Sequence, residues 1–233
     1  MLEKWLDEAK YTVVFTGAGM STESGLPDFR SQEGLWRKKD PAKIASTDAL
    51  NHNVEDFIAF YRERVLGVKE YGPHIGHEIL AKWEENGKVQ SIITQNVDGF
   101  HQVAGSKRVA ELHGTLQKLH CEKCGREYDG SAYMKETFYC ECGGVLRPSI
   151  VLFGESLPQD AFAFALEETE KADLFIVLGS SLTVTPANQF PMLAKENGAK
   201  LVIVNQDDTP FDRYADLMIQ DKKIGELLRE VDR

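Results

Sequence analysis

The sequence predicts an α/β protein: a doubly wound parallel sheet carrying a smaller inserted lobe. Three observations point there. Short β-branched or aliphatic runs alternate with helical patterns along most of the chain, and such alternation builds a parallel sheet with helices on both faces. The first run stops abruptly at Gly17-Ala18-Gly19, as a buried strand does on entering a tight turn. All four cysteines fall within residues 121–142, outside the alternation.

Taken in order, a short helix is expected over about 2–10, then a strand from Tyr11 to Thr16. Further strands are expected at Val89–Gln95, Leu174–Gly179 and Leu201–Asn205, with weaker ones at Val109–Leu112 and Leu217–Ile219. Helical patterns occupy about 54–69, 75–86, 159–171, 187–197 and 223–231. Gly87 and Gly198 stand where helix C-caps belong. Two stretches break the alternation: Pro27 to about Asn53, which reads as loop-rich, and 119–148, which holds the cysteines. Read as insertions, they give a large part over about 1–30, 85–118 and 149–233. The small lobe then comes from about 31–84, helical, and 119–148, metal-binding. Ligands of such a sheet sit at the carboxyl ends of its strands.

A chain of 233 residues, 42% apolar and 27% charged, suits one domain carrying a small module and can bury a sizeable core. Its net charge of −10 removes the general attraction to phosphate backbones and anionic membranes. Direct nucleic-acid binding is therefore not expected. No apolar run approaches the roughly 20 residues of a membrane span. The first ten residues, MLEKWLDEAK, are amphipathic and acidic, unlike a secretory leader. A cytoplasmic setting is expected.

In that setting clustered cysteines favour a metal, whereas a secreted chain would pair them as disulfides. Cys121-x2-Cys124, then fifteen residues, then Cys140-x-Cys142 place four thiolates on two knuckles. That is a strong zinc signature with no open coordination position. Such a zinc staples the insertion and leaves the chemistry to other groups. Residues 118–142 carry four Lys/Arg against five Asp/Glu, so the knuckles have no basic footprint for nucleic acid.

The remaining motifs cluster at strand ends. Gly17-Ala18-Gly19-Met20-Ser21-Thr22 lets backbone amides approach a pyrophosphate. Thr22 replaces the third glycine of GxGxxG, and no acid closes a second strand about 20 residues on, so a plain strand-to-helix turn fits as well. In Gly25-Leu26-Pro27-Asp28-Phe29-Arg30-Ser31, Arg30 suits a phosphate and Phe29 a planar ring. A buried Phe beside a surface Asp–Arg pair is the alternative. In Gln95-Asn96-Val97-Asp98-Gly99-Phe100-His101, Asp98 and Gln95 suit an amide and a ribose and Asn96 a water, or Asp98 caps a helix. His113, in Glu111-Leu112-His113-Gly114, is either a general base near pH 7 or structural. The apolar segment 147–155 suits pairing with an extended peptide, Val151 and Phe153 lining a slot, or a core strand. Gly179-Ser180-Ser181-Leu182-Thr183-Val184 and Val204-Asn205-Gln206 offer hydroxyls and an amide for phosphate and ribose.

Together and in this order, these motifs closely resemble the sirtuins, NAD-dependent protein lysine deacylases, over essentially the whole chain. The compact length is similar to bacterial and archaeal members. The resemblance implies a Rossmann-like large part with a zinc-binding small lobe. It implies that Ala18, Thr22, Arg30, Gln95, Ser180, Ser181 and Asn205 hold NAD, that Phe29, Val97 and Asp98 form the nicotinamide pocket, and that an adenine contact lies near Lys223. Val151, Phe153, Gly154 and Val184 would line the tunnel for acyl-lysine protein substrates. In the family's reaction the acyl oxygen attacks C1′ of the nicotinamide ribose as nicotinamide leaves, giving an alkylimidate. Here His113 would act as general base on the ribose hydroxyls, with Asn96 beside it. Collapse by water would then give free lysine, nicotinamide and O-acyl-ADP-ribose, with acetyl the primary acyl group. Mono-ADP-ribosyl transfer to protein is the alternative activity. Two features depart from the common pattern. The second cysteine pair is C-x-C where C-x-x-C is usual. Tyr61 and Arg64 resemble a Y-x-x-R pair with which desuccinylating sirtuins grip succinyl or malonyl groups, although Asp28 stands where those relatives have Thr, and a solvated helix face explains the pair equally.

Overall fold

The computed structural model describes residues 1–31, 34–38 and 40–232. Its strands are β1 (Thr12–Thr16), β2 (Ser91–Thr94), β3 (Val109–Glu111), β4 (Gly114–Cys121), β5 (Glu127–Asp129), β6 (Leu146–Ile150), β7 (Leu174–Leu178), β8 (Lys200–Val204) and β9 (Leu217–Ile219). The helices are α1 (Leu2–Glu8), α2 (Leu35–Lys38), α3 (Pro41–Ile44), α4 (Thr47–His52), α5 (Val54–Glu70), α6 (Ile75–Glu85), α7 (Phe100–Ala104), α8 (Ser131–Met134), α9 (Gln159–Lys171), α10 (Phe190–Glu196) and α11 (Ile224–Val231).

Six strands form a parallel sheet in the order β3-β2-β1-β7-β8-β9. Strand side chains alternate between faces, and the core divides accordingly. Val14, Ile92, Ile176 and Val202 pack with Leu6, Leu80, Trp83 and Leu228 from α1, α6 and α11. Val13, Phe15, Val177 and Ile203 pack with Ala165, Phe190 and Ala194 from α9 and α10. The continuous apolar runs in the sequence are thus strands covered on both faces. Chain order reverses between β1 and β7, where the turns after both strands meet backbone to backbone. A Cβ on Gly179 would lie 2.4 Å from the amide nitrogen of Met20, and one on Gly17 would lie 2.6 Å from the carbonyl oxygen of Gly179.

The second sheet is antiparallel, ordered β5-β4-β6. It shares one core with the segments 26–68: Phe57, Phe60 and Val65 of α5 pack with Leu116, Leu119, Tyr133 and Leu146. The segments 26–68 and the cysteine-bearing insertion therefore make a single small lobe.

Four expectations change. The stretch from Pro27 to about Asn53, expected as loop, contains α2, α3 and α4. The last two start at side-chain caps from Asp40 and Ser46. Helix α6, assigned by sequence to the small lobe, packs on the large sheet with Trp83 only 1% exposed. An amphipathic pattern says that a helix has a buried face, not which sheet receives it. Residues 114–118, assigned to the large part, begin β4 of the small sheet. The helix expected over 187–197 begins as a 3-10 turn at Ala187–Gln189, and the α-helix starts only at Phe190, just before Pro191.

Candidate active site

A cavity of about 330 Å³ opens between the two lobes, at the carboxyl ends of β1, β2 and β7. Its large-domain wall includes Ala18, Gln95, Asn96, Ser180, Ser181 and Asn205. Two hydrogen bonds hold part of this wall. The Ser180 hydroxyl donates to Gln95 Oε1 at 2.7 Å, and Asn205 Nδ2 donates to the carbonyl of Asp207 at 2.7 Å.

Deeper in, Asp98 and Asn96 are 5% and 7% exposed. Asp98 accepts from the Ser21 hydroxyl at 2.8 Å and from the amide of Phe100 at 2.9 Å, while Asn96 Nδ2 donates to Ser21 Oγ at 3.2 Å. Burial raises the Asp98 carboxyl above its ordinary value, and these hydrogen bonds and the Arg64 charge oppose that rise. Asp98 thus braces the turn into α7 and lines the cavity, but the helix cap expected from it is not formed: Gly99 is the N-cap of α7, with no side-chain cap hydrogen bond.

His113 faces the same cavity from the link between β3 and β4. Its Nδ1 lies 3.0 Å from the carbonyl oxygen of Gln95. Burial pushes the imidazole below its ordinary value, and the Arg30 charge adds to this, while the Gln95 contact opposes it. The ring is accordingly neutral at pH 7.

The small-lobe wall is aromatic. Phe29 stacks on Trp36 with centroids 4.9 Å apart, and Trp36 reaches Phe60 at 6.0 Å and Phe153 at 6.4 Å. The guanidinium carbon of Arg64 lies 4.9 Å from the centre of the Phe29 ring. Tyr61 is buried and, with Arg64, lines the cavity. The solvated helix face allowed by the sequence is therefore overturned. Val151, Phe153, Gly154 and Val184 also line the cavity, with Phe153 a large apolar side chain left 45% exposed.

Away from the cavity, the four cysteines converge. Their sulfurs lie within 4.8 Å of one another, with Cys121–Cys142 at 3.4 Å and Cys124–Cys140 at 3.7 Å. Four ligands on a zinc with Zn–S bonds of about 2.3 Å define tetrahedral edges of about 3.8 Å, so the set fits that ion and all four are free thiols. The shortened C-x-C knuckle closes because Gly144 has no side chain: a Cβ there would meet Cys121 Sγ at 2.5 Å. The Tyr128 hydroxyl donates to Cys140 Sγ at 3.1 Å, outside the ligand set.

Residues 17–186 match the sequence pattern of the Sir2 family. The chain belongs to the Sir2 family. It is 70% identical over 232 residues, 99% of this chain and 98% of the relative, to an NAD-dependent protein deacetylase of Oceanobacillus iheyensis. It is 57% identical over its full length, and 98% of the relative, to one from Halalkalibacterium halodurans. Among solved structures, a Sir2 protein with deacetylated p53 peptide and 3′-O-acetyl ADP-ribose superposes with a TM-score of 0.94 at 40% identity, covering 99% of this chain and 95% of that one. A Sir2 complex with p53 peptide and NAD+ superposes at 0.89 with 39% identity, covering 99% and 95%.

Most residues singled out by sequence meet in the Sir2 cleft, but two do not line it. Thr22 is exposed, and its hydroxyl donates to the carbonyl of Gly19 at 2.9 Å, holding the glycine turn. Lys223 is exposed at the N-cap of α11, a helix whose first turn is held by Glu23 through Gly225 N at 2.8 Å. Cleft residues that sequence reasoning passed over include Trp36, Phe60, Leu157 and Asp207. An aromatic residue in the polar stretch around Trp36 was the available signal; the others carried none.

Proposed function

We propose that the chain removes acetyl groups from protein lysines and consumes NAD in doing so, releasing free lysine, nicotinamide and O-acetyl-ADP-ribose. The observation that carries this reading is a neutral histidine with one ring nitrogen unpartnered among the described residues, set in the same cleft as the buried Asp98 and Asn96. The family and the names of its relatives support it. NAD supplies the nicotinamide leaving group and the ribose that receives the acetyl.

The large part holds NAD and the cleft below the small lobe takes the acyl-lysine. Ala18, Arg30, Gln95, Ser180, Ser181 and Asn205 bind the dinucleotide, with Thr22 acting through the turn it closes and Lys223 reserved for the adenine edge. Phe29, Val97 and Asp98 enclose the nicotinamide, while Asn96 orders a water. Val151, Phe153, Gly154 and Val184 receive the substrate as an added strand. His113 Nε2 accepts a proton from a ribose hydroxyl. Cys121, Cys124, Cys140 and Cys142 hold a structural zinc that keeps the small lobe folded.

The test is incubation with NAD and an acetyl-lysine peptide, followed by mass spectrometry. Stoichiometric nicotinamide, deacetylated peptide and O-acetyl-ADP-ribose are expected, and all three fall in His113→Ala. Labelled NAD left covalently on protein faster than deacetylation would favour ADP-ribosyl transfer instead.

A second reading rests on Arg64, a cation in the cleft wall beside Tyr61. A guanidinium there pairs with a carboxylate at the end of a succinyl or malonyl chain. Arg64→Ala would then lose desuccinylation while keeping deacetylation; equal loss of both would leave acetyl as the preferred group.

A further inference from the structure

Arg147 sits on β6, 6% exposed, and is not among the residues that line the cleft. Its guanidinium spans two carboxylates from different parts of the chain. Nη2 lies 2.9 Å from Glu155 Oε1 and 3.1 Å from Oε2. Nε lies 2.8 Å from Glu122 Oε1 and 3.2 Å from His120 Nε2.

Each carboxylate has a second attachment. Glu155 Oε2 accepts from the amide of Leu152 at 2.8 Å, and the Glu155 amide donates to the Leu152 carbonyl at 3.0 Å. That turn presents Val151, Phe153 and Gly154 to the cleft. Glu122 directly follows Cys121 at the end of β4, and its amide donates to the carbonyl of Val145 at 3.0 Å, so it moves with the first knuckle. The geometry points to Arg147 as a positioning residue that fixes the substrate-side turn 151–155 relative to the cysteine knuckle.

The planar, five-donor guanidinium suits this bridge, because its fork meets two carboxylates at fixed angles in a way a lysine ammonium does not. Burial strengthens the dependence: a guanidinium out of water is held wherever both carboxylates are, and losing either leaves a buried charge short of a partner. The knuckle thereby sets the position of the strand that receives the acyl-lysine without any metal chemistry. This rests on the reading of 151–154 as the substrate strand.

The decisive variant is Glu122→Gln, which lies outside the cleft. It is compared with Arg147→Lys, Arg147→Met and Glu141→Gln, the last on the other knuckle, where Glu141 pairs with exposed Arg126. The readouts are zinc content, thermal midpoint, ADP-ribose affinity, and kcat and KM for an acetyl-lysine peptide. Amide hydrogen exchange at Leu152 and Phe153 is followed as a readout independent of turnover.

Glu122→Gln and Arg147→Lys should raise the peptide KM about tenfold, the scale of one charge-assisted hydrogen bond. They should speed exchange at Leu152 and Phe153 while keeping parental zinc content and ADP-ribose affinity. Glu141→Gln should match the parent throughout. An unchanged peptide KM in Glu122→Gln, or peptide KM and ADP-ribose affinity worsening together with the thermal midpoint, would overturn the assignment. If Arg147→Met does not fold, Glu122→Gln and Arg147→Lys still decide. An inactive parent with slowed exchange at Leu152 tied to Glu122 would defeat the deacetylase reading and leave the strut standing.

Discussion

The Nδ1 nitrogen of His113 lies 3.0 Å from the carbonyl oxygen of Gln95, and this contact decides which ring nitrogen is basic. A carbonyl can only accept, so Nδ1 carries the proton and Nε2 keeps its lone pair. The protonated ring is inactive as a base. Burial lowers its pKa from 6.5, so activity is retained down to lower pH than for an ordinary histidine. The acidic limb of kcat/KM should centre below that value. His113→Ala should lower kcat by about 10²–10⁴-fold with ADP-ribose binding retained. A limb centred above 6.5 in the parent, or one that persists in the variant, would assign the base elsewhere.

Behind the cleft, His77 and His101 lie with rings 4.9 Å apart. Burial, with neighbouring imidazoles adding to it, pushes His77 down to about 2 and His101 down to about 3 from an ordinary 6.5. From 6.5 downward the unfolded chain binds protons that the native state excludes. Stability is therefore fully present above 6.5 and falls as pH drops, at up to about 1.4 kcal/mol per pH unit for each histidine. Urea unfolding at pH 7, 6 and 5 should show this decline. His101→Asn should show a shallower one; an unchanged slope would mean that the buried ring is not the cause.

Metal removal should act on the fold of the small lobe first. Cys121 and Cys140 join a core shared by Tyr133, Leu146 and α5, so chelation should expose tyrosine and abolish deacetylation, while the large sheet keeps much of the far-ultraviolet dichroism. Cys140→Ala should do the same at any zinc concentration. A metal-free, thiol-reduced protein with full activity would contradict the stapling role.

Where the turns after β1 and β7 meet, Gly179 has φ near 64° and no room for a Cβ. Gly179→Ala should cost at least about 1–3 kcal/mol through the left-handed backbone alone, and should also weaken ADP-ribose binding by parting the turn of 17–19 from Ser180. Thermal unfolding and titration calorimetry measure the two effects separately. Parental values in both would show that the two turns tolerate separation.

Much of the large sheet was legible because strands buried on both faces write themselves as unbroken apolar runs, as in Leu174–Leu178. The turns that end them stood out for their glycines and polar side chains, and these brought Gln95, Asp98, His113 and Ser180 to one cavity. Segments of four or five residues, such as α2, α3 and α7, were not legible, since one turn of helix is too short to show a period. The aromatic wall of Phe29, Trp36 and Phe60 escaped because Phe60 lies far along the chain from the other two and meets Trp36 only through the packing of α2 on α5.

By itself the sequence determined the doubly wound architecture, the four-cysteine metal set and the family. Each of these depends on local pattern or short-range spacing, which a linear chain records directly. Tertiary structure alone decided that α6 belongs to the large sheet, that Thr22 and Lys223 stand outside the cleft, and that Arg64 lies over Phe29. It alone joined Glu122 to Glu155 through Arg147. Such relations depend on which surfaces meet, and a hydrophobic or charged side chain specifies that it needs a partner without naming which one.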